Sequence, residues 1–294
     1  MYSIIIPNYG IKGISMLDSL LDSISKFDNP SLDEIIISDD SSSVDTIAGL
    51  GILTEKYENI FKIILVHNPD YRSFSKTVNS GMKASNPIND ILLLNNDMLA
   101  LTSFEPFVDF TKETNNNNND NNTTNNNIGI IGAKLLYPNL SIQHAGIVRT
   151  SYLKLFKHIY RNRNYDHPPT NFPNKYIAVT GACQYINREL INKIGYLDEK
   201  YILSYEDIDY CVNARLNGYD VWYIPHVAMT HYESATRTNQ YDKYNRSLFW
   251  NKWNSSYEQI RIAGNISDDD SYMNIVKVSG IAIIGYYLYK KKIK

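Results

Sequence analysis

Several places in this chain end an aliphatic run on groups that can hold a ligand. The plainest is DILLLNNDMLA, residues 90–100, where the run breaks into Asn95, Asn96 and Asp97. EIIISDD closes on Asp39 and Asp40, FKIILVHN on Asn68, and SIIIPN on Pro7 and Asn8. An aliphatic run bounded by polar residues reads as a strand covered on both faces. A carboxylate at such a strand end can hold a hard divalent cation through oxygen. That cation would offset negative charge on a departing phosphate. A lone strand-end Asp is more often a turn residue or a helix cap. The convergence of polar groups at successive strand ends shifts the balance toward a site. Asn95 and Asp97 share a side if the chain stays extended through them.

A second group lies in SYEDIDYCVNARLNGY, which reads as a helix with Ser204 as N-cap and Gly218 as its stop. Glu206, Asp207 and Asp209 occupy its first turn, where acids favour the helix dipole whatever else they do. The functional alternative is that one of them takes a proton from a hydroxyl. Asp209 lies about 200° around the helix from Asp207 and is assigned to structure. His144, His158 and His167 read as lone histidines without a ligand role, and Cys211 as core. Trp250 and Trp253 read as packing at i, i+3. Tyr201, Tyr205 and Tyr232 could stack on the ring of a ligand.

The elements that must position these groups alternate in the first half. Strands are expected at Ser3–Pro7, Glu34–Asp40, Phe61–Asn68 and Asp90–Leu94, with Pro7 ending the first. Between them, Ile14, Leu17, Leu20, Leu21, Ile24 and Phe27 fall on one helical face. VDTIAGLGILTEKY suits a second helix, and SFSKTVNSGMKAS a third beginning near Ser73 or Ser75. Such alternation predicts an α/β fold with a mostly parallel central sheet, whose ligands bind beyond the strands' carboxyl ends. The second half is less regular: strands in IGIIGAKLLYP, SIQHAGIVRT and DVWYIPHVAMTHY, a strand, turn and helix in AVTGACQYINRELINKIG, and a helix in YDKYNRSLFWNKW.

One domain is expected over residues 1–265, with Thr114–Asn127 as an Asn-rich disordered loop lacking any apolar anchor. Residues 266–294 form a tail. Its stretch Val278–Tyr289 is apolar and uncharged, followed by Lys290, Lys291 and Lys292. That is short of the roughly 20 residues a membrane span takes. It suits either an interfacial helix making peripheral membrane contact or a terminal helix docked on the core.

The 294 residues are 43% hydrophobic and 20% charged, with a formal net charge of −2. That balance announces no nucleic-acid partner. Cys183 and Cys211 have neither disulfide-framework nor metal-finger spacing. The opening MYSIIIPNYG lacks the basic and apolar regions of a leader, so a reducing, cytoplasmic setting is expected.

Taken in order, SIIIPNYG, IIISDDSSSVD, HNPDYRSFSKTVNSGMKAS, ILLLNNDM, GACQYINRELINKIGYLDEKYILSYEDIDYCVNARLNGY, IPHVAMTHYESAT and YNRSLFWNKW resemble the family 2 glycosyltransferases, in their rhamnosyltransferase-like branch. The resemblance covers roughly residues 2–253. It implies the GT-A fold, a Rossmann-like nucleotide-diphospho-sugar transferase fold, and a hexosyltransferase that inverts the anomeric carbon. The donor would be a UDP-, dTDP- or GDP-sugar, the cofactor Mn²⁺ or Mg²⁺, and the acceptor a glycan, lipid or protein.

By the same resemblance, Pro7, Asn8 and Tyr9 wall the nucleotide base, Asp39 bonds the base or ribose, and Asn68 and Asn79 line the donor side. Asn95, Asn96 and Asp97 stand as the family's variant of its acidic metal motif, with Asp97 the ligand. Gly181 and Ala182 border the sugar. Glu206 and Asp207 match the acidic pair, Asp207 being the general base, and His231 matches a late histidine that completes the metal or diphosphate contact. Three positions depart from the pattern: Gly10 where Asn is common, Ser73 where Gly is usual, and Asn213 where Arg is frequent.

Two other classes compete. A sugar-phosphate nucleotidyltransferase would want a Gly-rich basic loop after the first strand, which PNYGIKGISM does not supply. A catalytically inactive sugar-nucleotide or glycan-binding module would not need Asp97, Asp207 and His231 together.

Overall fold

The structure, a computed structural model, describes residues 1–40, 42–70, 73–116, 127–149, 156–233, 241–256 and 258. Most of the Asn-rich stretch and the whole tail 266–294 lie outside the described residues.

The first half alternates as its periodicity predicts: β1 (Tyr2–Asn8), α1 (Lys12–Ile24), β2 (Leu32–Asp40), α2 (Val44–Tyr57), β3 (Ile63–Asn68), α3 (Phe74–Ala84) and β4 (Asp90–Leu94). β1 lies between β2 and β4, β3 flanks β2, and all four are parallel. Each strand feeds both faces of the sheet, because successive side chains point opposite ways. Ile5, Ile36 and Leu93 join one core with Val78 and Met82 of α3. Ile4, Ile6, Ile37, Leu92 and Leu94 join the other, against Leu17, Leu20 and Leu21 of α1 and Leu50 and Leu53 of α2. Complete burial of each such side chain stabilises by about 1.5–3 kcal/mol. A Cβ at Gly81 would come within 2.6 Å of Ile5, so the glycine is what lets α3 approach the sheet.

The second half comprises β5 (Met98–Ala100), α4 (Glu105–Asn116), β6 (Ile128–Leu136), β7 (Ile142–His144), β8 (Ile147–Arg149), β9 (Phe156–His158), β10 (Asn174–Lys175), β11 (Cys183–Ile186), α5 (Arg188–Ile194), α6 (Glu206–Leu216), β12 (Asp220–His231) and α7 (Asp242–Trp253). The ten-stranded sheet runs β10-β12-β6-β11-β4-β1-β2-β3, with β5 on β12 and β7 on β6. Strands β12, β6, β4, β1, β2 and β3 point the same way, which makes the sheet mostly parallel; β11 is inserted antiparallel between β6 and β4. β8 and β9 form a separate antiparallel pair.

Some expectations need correction. Pro7 does not end β1: it pairs with Ser38, and the strand continues to Asn8. Pairing with β4 stops at Ile5, so Pro7 sits beside an open edge, where a missing N–H is tolerated. Phe27 falls beyond the end of α1, though it still packs on the core. The AVTG segment is not a strand. It makes only a bridge at Ala178, and the strand begins at Cys183.

Candidate active site

A cavity of about 1030 Å³ opens at the carboxyl ends of β1 and β4. One wall comes from the first half: Pro7, Asn8, Tyr9, Asn95, Asn96 and Asp97. The facing wall comes from the second: Gly181, Ala182, Glu206, Asp207 and His231. Residues far apart in sequence, assigned to one site by their types and by the family resemblance, thus line one space.

Asp97 and His231 meet because β5 pairs antiparallel with the end of β12, setting Met98 opposite His231. His231 Nε2 lies 3.2 Å from Asp97 Oδ1. On the other side of the ring, Nδ1 lies 2.6 Å from Gln143 Oε1. Gln143 directs its amide nitrogen to the His231 carbonyl, at 3.3 Å, so its oxygen faces the ring and Nδ1 donates. His231 Nε2 thus faces the Asp97 carboxylate at ion-pair distance, and both side chains are of a type that ligates divalent cations. Carboxylate and imidazole both suit Mn²⁺, and Mg²⁺ is commonly held by one or two protein groups plus phosphate oxygens. Among the described residues no cluster of three or more His, Cys, Asp and Glu could hold a metal alone. Asn95 and Thr77 also line the cavity, and the inward-buried Asn95 Oδ1 and Thr77 Oγ1 have no hydrogen-bond partner among the described residues.

The chain does not stay extended from Asn95 to Asp97, as the shared-side reading required. It turns at Asn96 and Asp97 before β5 starts. Asn96 instead donates to Asn8 Oδ1 at 3.1 Å, tying the ends of β4 and β1 together.

Asp207 lies in the first turn of α6. The Gly181 N–H donates to its Oδ2 at 2.9 Å and the Ile208 N–H to its Oδ1 at 2.8 Å, fixing the carboxylate's orientation. A Cβ at Gly181 would sit 3.2 Å from the Asp207 Cβ, so only glycine gives this approach full clearance. Glu206 is buried beside it.

Ser204 is not the cap of α6. Its hydroxyl donates to Asp242 Oδ1 at 3.0 Å, and the capping position is Tyr205, which offers no side-chain cap. Ser204 (φ 76°) and Tyr205 (φ 70°) are both left-handed, a strained pair directly before the acidic residues.

Asp209 is structural, as its place around the helix implies. It is buried and accepts from the Tyr201 hydroxyl at 2.9 Å, Lys252 Nζ at 2.9 Å and Trp253 Nε1 at 2.6 Å. Burial raises its pKa, and Lys252 together with the other donors works against that rise. Trp253 therefore does more than pack. Of the three tyrosines considered, Tyr205 lines the cavity; Tyr201 is core, and Tyr232 is exposed.

Three residues assigned to the donor side do not line the cavity. Asp39 is buried, accepting from Asn8 at 3.0 Å and the Ser42 hydroxyl at 2.6 Å, with His67 Nδ1 3.1 Å away. Its neighbour Asp40 lines the cavity instead. Asn68 braces β2, donating to the Asp39 carbonyl at 2.8 Å. Asn79 clamps the segment after α5, exchanging bonds with both the carbonyl and the N–H of Leu197. The physical reason is common to all three: a buried amide or carboxylate bonds the nearest internal donors and acceptors.

The structure also explains two departures from the family pattern. Gly10 has φ 71°, a left-handed conformation that Gly and Asn both adopt readily. Ser73 has φ 134°, where glycine alone is at ease, and its buried Oγ has no partner among the described residues. Sequence reasoning named Asp40 only as a strand-end acid without a role, and missed Thr77, Gln143 and the Phe156–Arg161 segment of the wall. Asp40 was visible as the second acid of its pair. The segment around β9 carries no periodic signal.

No known family profile matches the chain. It is 33% identical over 127 residues to the uncharacterized protein y4gI of Sinorhizobium fredii (strain NBRC 101917 / NGR234), covering 42% of this chain and 14% of that protein. It is 27% identical over 116 residues to the O-antigen biosynthesis protein RfbC of Myxococcus xanthus, covering 37% of this chain and 9% of that one. The chain thus spans a small part of the curated relatives it matches. Among solved structures, GalNAc-T7 with UDP, GalNAc and Mn²⁺ superposes with a TM-score of 0.66 at 14% identity, over 98% of this chain and 58% of that one. The mannosyltransferase PcManGT of Pyrobaculum calidifontis, in complex with GDP-Man and Mn²⁺, gives 0.55 at 14% identity, over 88% and 64%. Among the described residues no helix is long and apolar enough to cross a membrane. The chain has the GT-A fold of the nucleotide-sugar glycosyltransferases.

Proposed function

We propose that this chain is a family 2 glycosyltransferase that moves a hexose from a nucleotide-diphosphate donor to an acceptor hydroxyl, with inversion. The observation that carries the reading is one cavity lined both by the Asp97–His231 pair and by the oriented carboxylate of Asp207. Displacing a nucleoside diphosphate needs a neutralised leaving group and a deprotonated nucleophile. A divalent cation bound by Asp97 and His231 would supply the first by offsetting charge on the diphosphate. Asp207 supplies the second: it accepts the acceptor hydroxyl's proton as the oxygen attacks the anomeric carbon. One base and one displacement give inversion. Pro7, Asn8, Tyr9 and Asp40 wall the nucleotide end, and Ala182 leaves room for the sugar. The relatives support the same reading, one being described as an O-antigen biosynthesis protein and one superposed enzyme holding GDP-Man and Mn²⁺.

The test is a screen of UDP-, GDP- and dTDP-sugars against a panel of p-nitrophenyl glycosides, with Mg²⁺ or Mn²⁺, read as nucleoside diphosphate release and as product. Metal-dependent transfer from at least one donor, with an inverted linkage, is the expected result. No release from any donor in either metal, or a retained linkage, would overturn the proposal.

A further inference from the structure

The polar chain that starts at Asp97 and His231 runs on past Gln143. The Gln143 amide nitrogen, which reaches the His231 carbonyl, also lies 3.5 Å from Glu233 Oε2. Glu233 in turn holds Arg161, whose Nη2 donates to both carboxylate oxygens, at 3.0 and 2.8 Å. Arg161 Nε donates to the Tyr137 hydroxyl at 2.6 Å, and the guanidinium lies 5.5 Å from the centre of the Tyr137 ring. Gln143, Arg161, His231 and Glu233 all line the cavity.

Three features make the Arg161–Glu233 bond easy to exchange. Its side chains are 39% and 34% exposed, where an ion pair contributes little net stability. A single nitrogen serves both oxygens, in place of the two-nitrogen fork that makes arginine–carboxylate pairs strong. Glu233 also holds φ 45°, a left-handed backbone that a non-glycine residue adopts at a cost. The surroundings press the same way. Among the described residues that line the cavity, carboxylates outnumber the fixed cations Lys157 and Arg161 by five to two. A diphosphate entering such a lining needs the cations it can reach. Each of its phosphates presents paired oxygens like those of a carboxylate, with more charge.

We propose that Arg161 binds and positions the donor's diphosphate, and that Glu233 holds the place of that ligand when the donor is absent. On binding, a diphosphate oxygen replaces the Glu233 carboxylate on Arg161 Nη2, while the bond from Nε to Tyr137 is untouched. The assignment rests on the transferase reading. A bond that only clamps the segment after β9 to the end of β12 makes the opposite prediction for Glu233, because removing it would loosen the wall and weaken binding.

The test is calorimetry of UDP, GDP and dTDP binding to the full chain with saturating Mn²⁺. It compares wild type, Arg161→Gln, Glu233→Gln and the double variant, each measured well below its own melting transition. Arg161→Gln is expected to weaken nucleotide binding about tenfold or more, the scale of a lost bond to a charged group. Glu233→Gln is expected to tighten it about two- to fivefold, since the competitor for Nη2 is gone. In the Arg161→Gln background the same change should gain nothing. An affinity of Arg161→Gln within about twofold of wild type, less than a charged hydrogen bond is worth, would overturn the proposal. So would a Glu233→Gln variant that binds no more tightly than wild type, the result a structural clamp gives. A gain from Glu233→Gln that survives the loss of Arg161 would trace to the cavity's field rather than to exchange, and would overturn it too. A wild type that binds none of the three nucleotides would overturn the transferase reading and this proposal with it. Where the wild type binds one of them, a failed comparison falls on Arg161 and Glu233 alone.

Discussion

The two halves of the molecule build their walls of the cavity by different means. The first half repeats one device, a strand whose carboxyl end carries polar groups before a helix returns. Those strand ends converge, yet much of their polarity is spent inward: Asp39 on Asn8, Ser42 and His67, and Asn68 on β2. The second half repeats nothing. It reaches the cavity through β12 pairing with β5, a left-handed entry into α6, and the separate β8–β9 pair. Its groups are aimed by specific bonds rather than by the sheet's general geometry. Regular architecture creates the place for a ligand; irregular connections set the chemistry done there.

Experiments can press on that contrast. The largest effects should come from the groups the second half aims or touches. Asp97→Ala is expected to abolish metal-dependent turnover while circular dichroism and the melting transition stay near wild type; transfer that persists in chelator would break the assignment. Asp207→Asn should keep donor affinity but lose on the order of 10²- to 10⁴-fold in kcat, since an amide cannot take the acceptor's proton. A kcat within a few-fold of wild type would move the base to Glu206.

The first-half pair Asp39 and Asp40 sharpens the comparison. Asp39→Asn should act on stability, costing about 1–3 kcal/mol in denaturant melts through its buried bonds. Asp40→Asn should act on nucleotide affinity, read by calorimetry with UDP and GDP. If the two effects come out exchanged, the division between brace and ligand contact is wrong. Smaller still, Ser73→Gly should raise stability by about 1 kcal/mol, by relieving a side chain held at φ 134°. Loss of stability there would mean that the serine is favoured by a bond formed in solution.

How much could be read beforehand follows the same division. The parallel strands, the apolar face of α1, the existence of α2, and Asp97 at its strand end were legible because periodicity and punctuation are local signals. The partnership of Asp97 with His231 came from the family resemblance, since strand pairing between β5 and β12 leaves no mark in either segment. Asp39 and Asn68 look identical as letters whether they face a ligand or a neighbour, and only three-dimensional packing decides. Ser204 looked like a cap because serine before an acidic turn usually is one. A partner on α7, distant in sequence, took its hydroxyl.

The clamp on Asp209 has a consequence for where the chain can be cut. Lys252 and Trp253 are the last groups known to hold that buried carboxylate, and both lie at the very end of α7. A fragment ending after residue 258 would retain both donors, so a minimal expressed unit should end there or later. One that stops before Lys252 would strand the carboxylate inside the protein two residues from Asp207, at a cost of about 3 kcal/mol or more. The first sign of such a truncation would be insolubility on expression, well before any assay of transfer could be attempted.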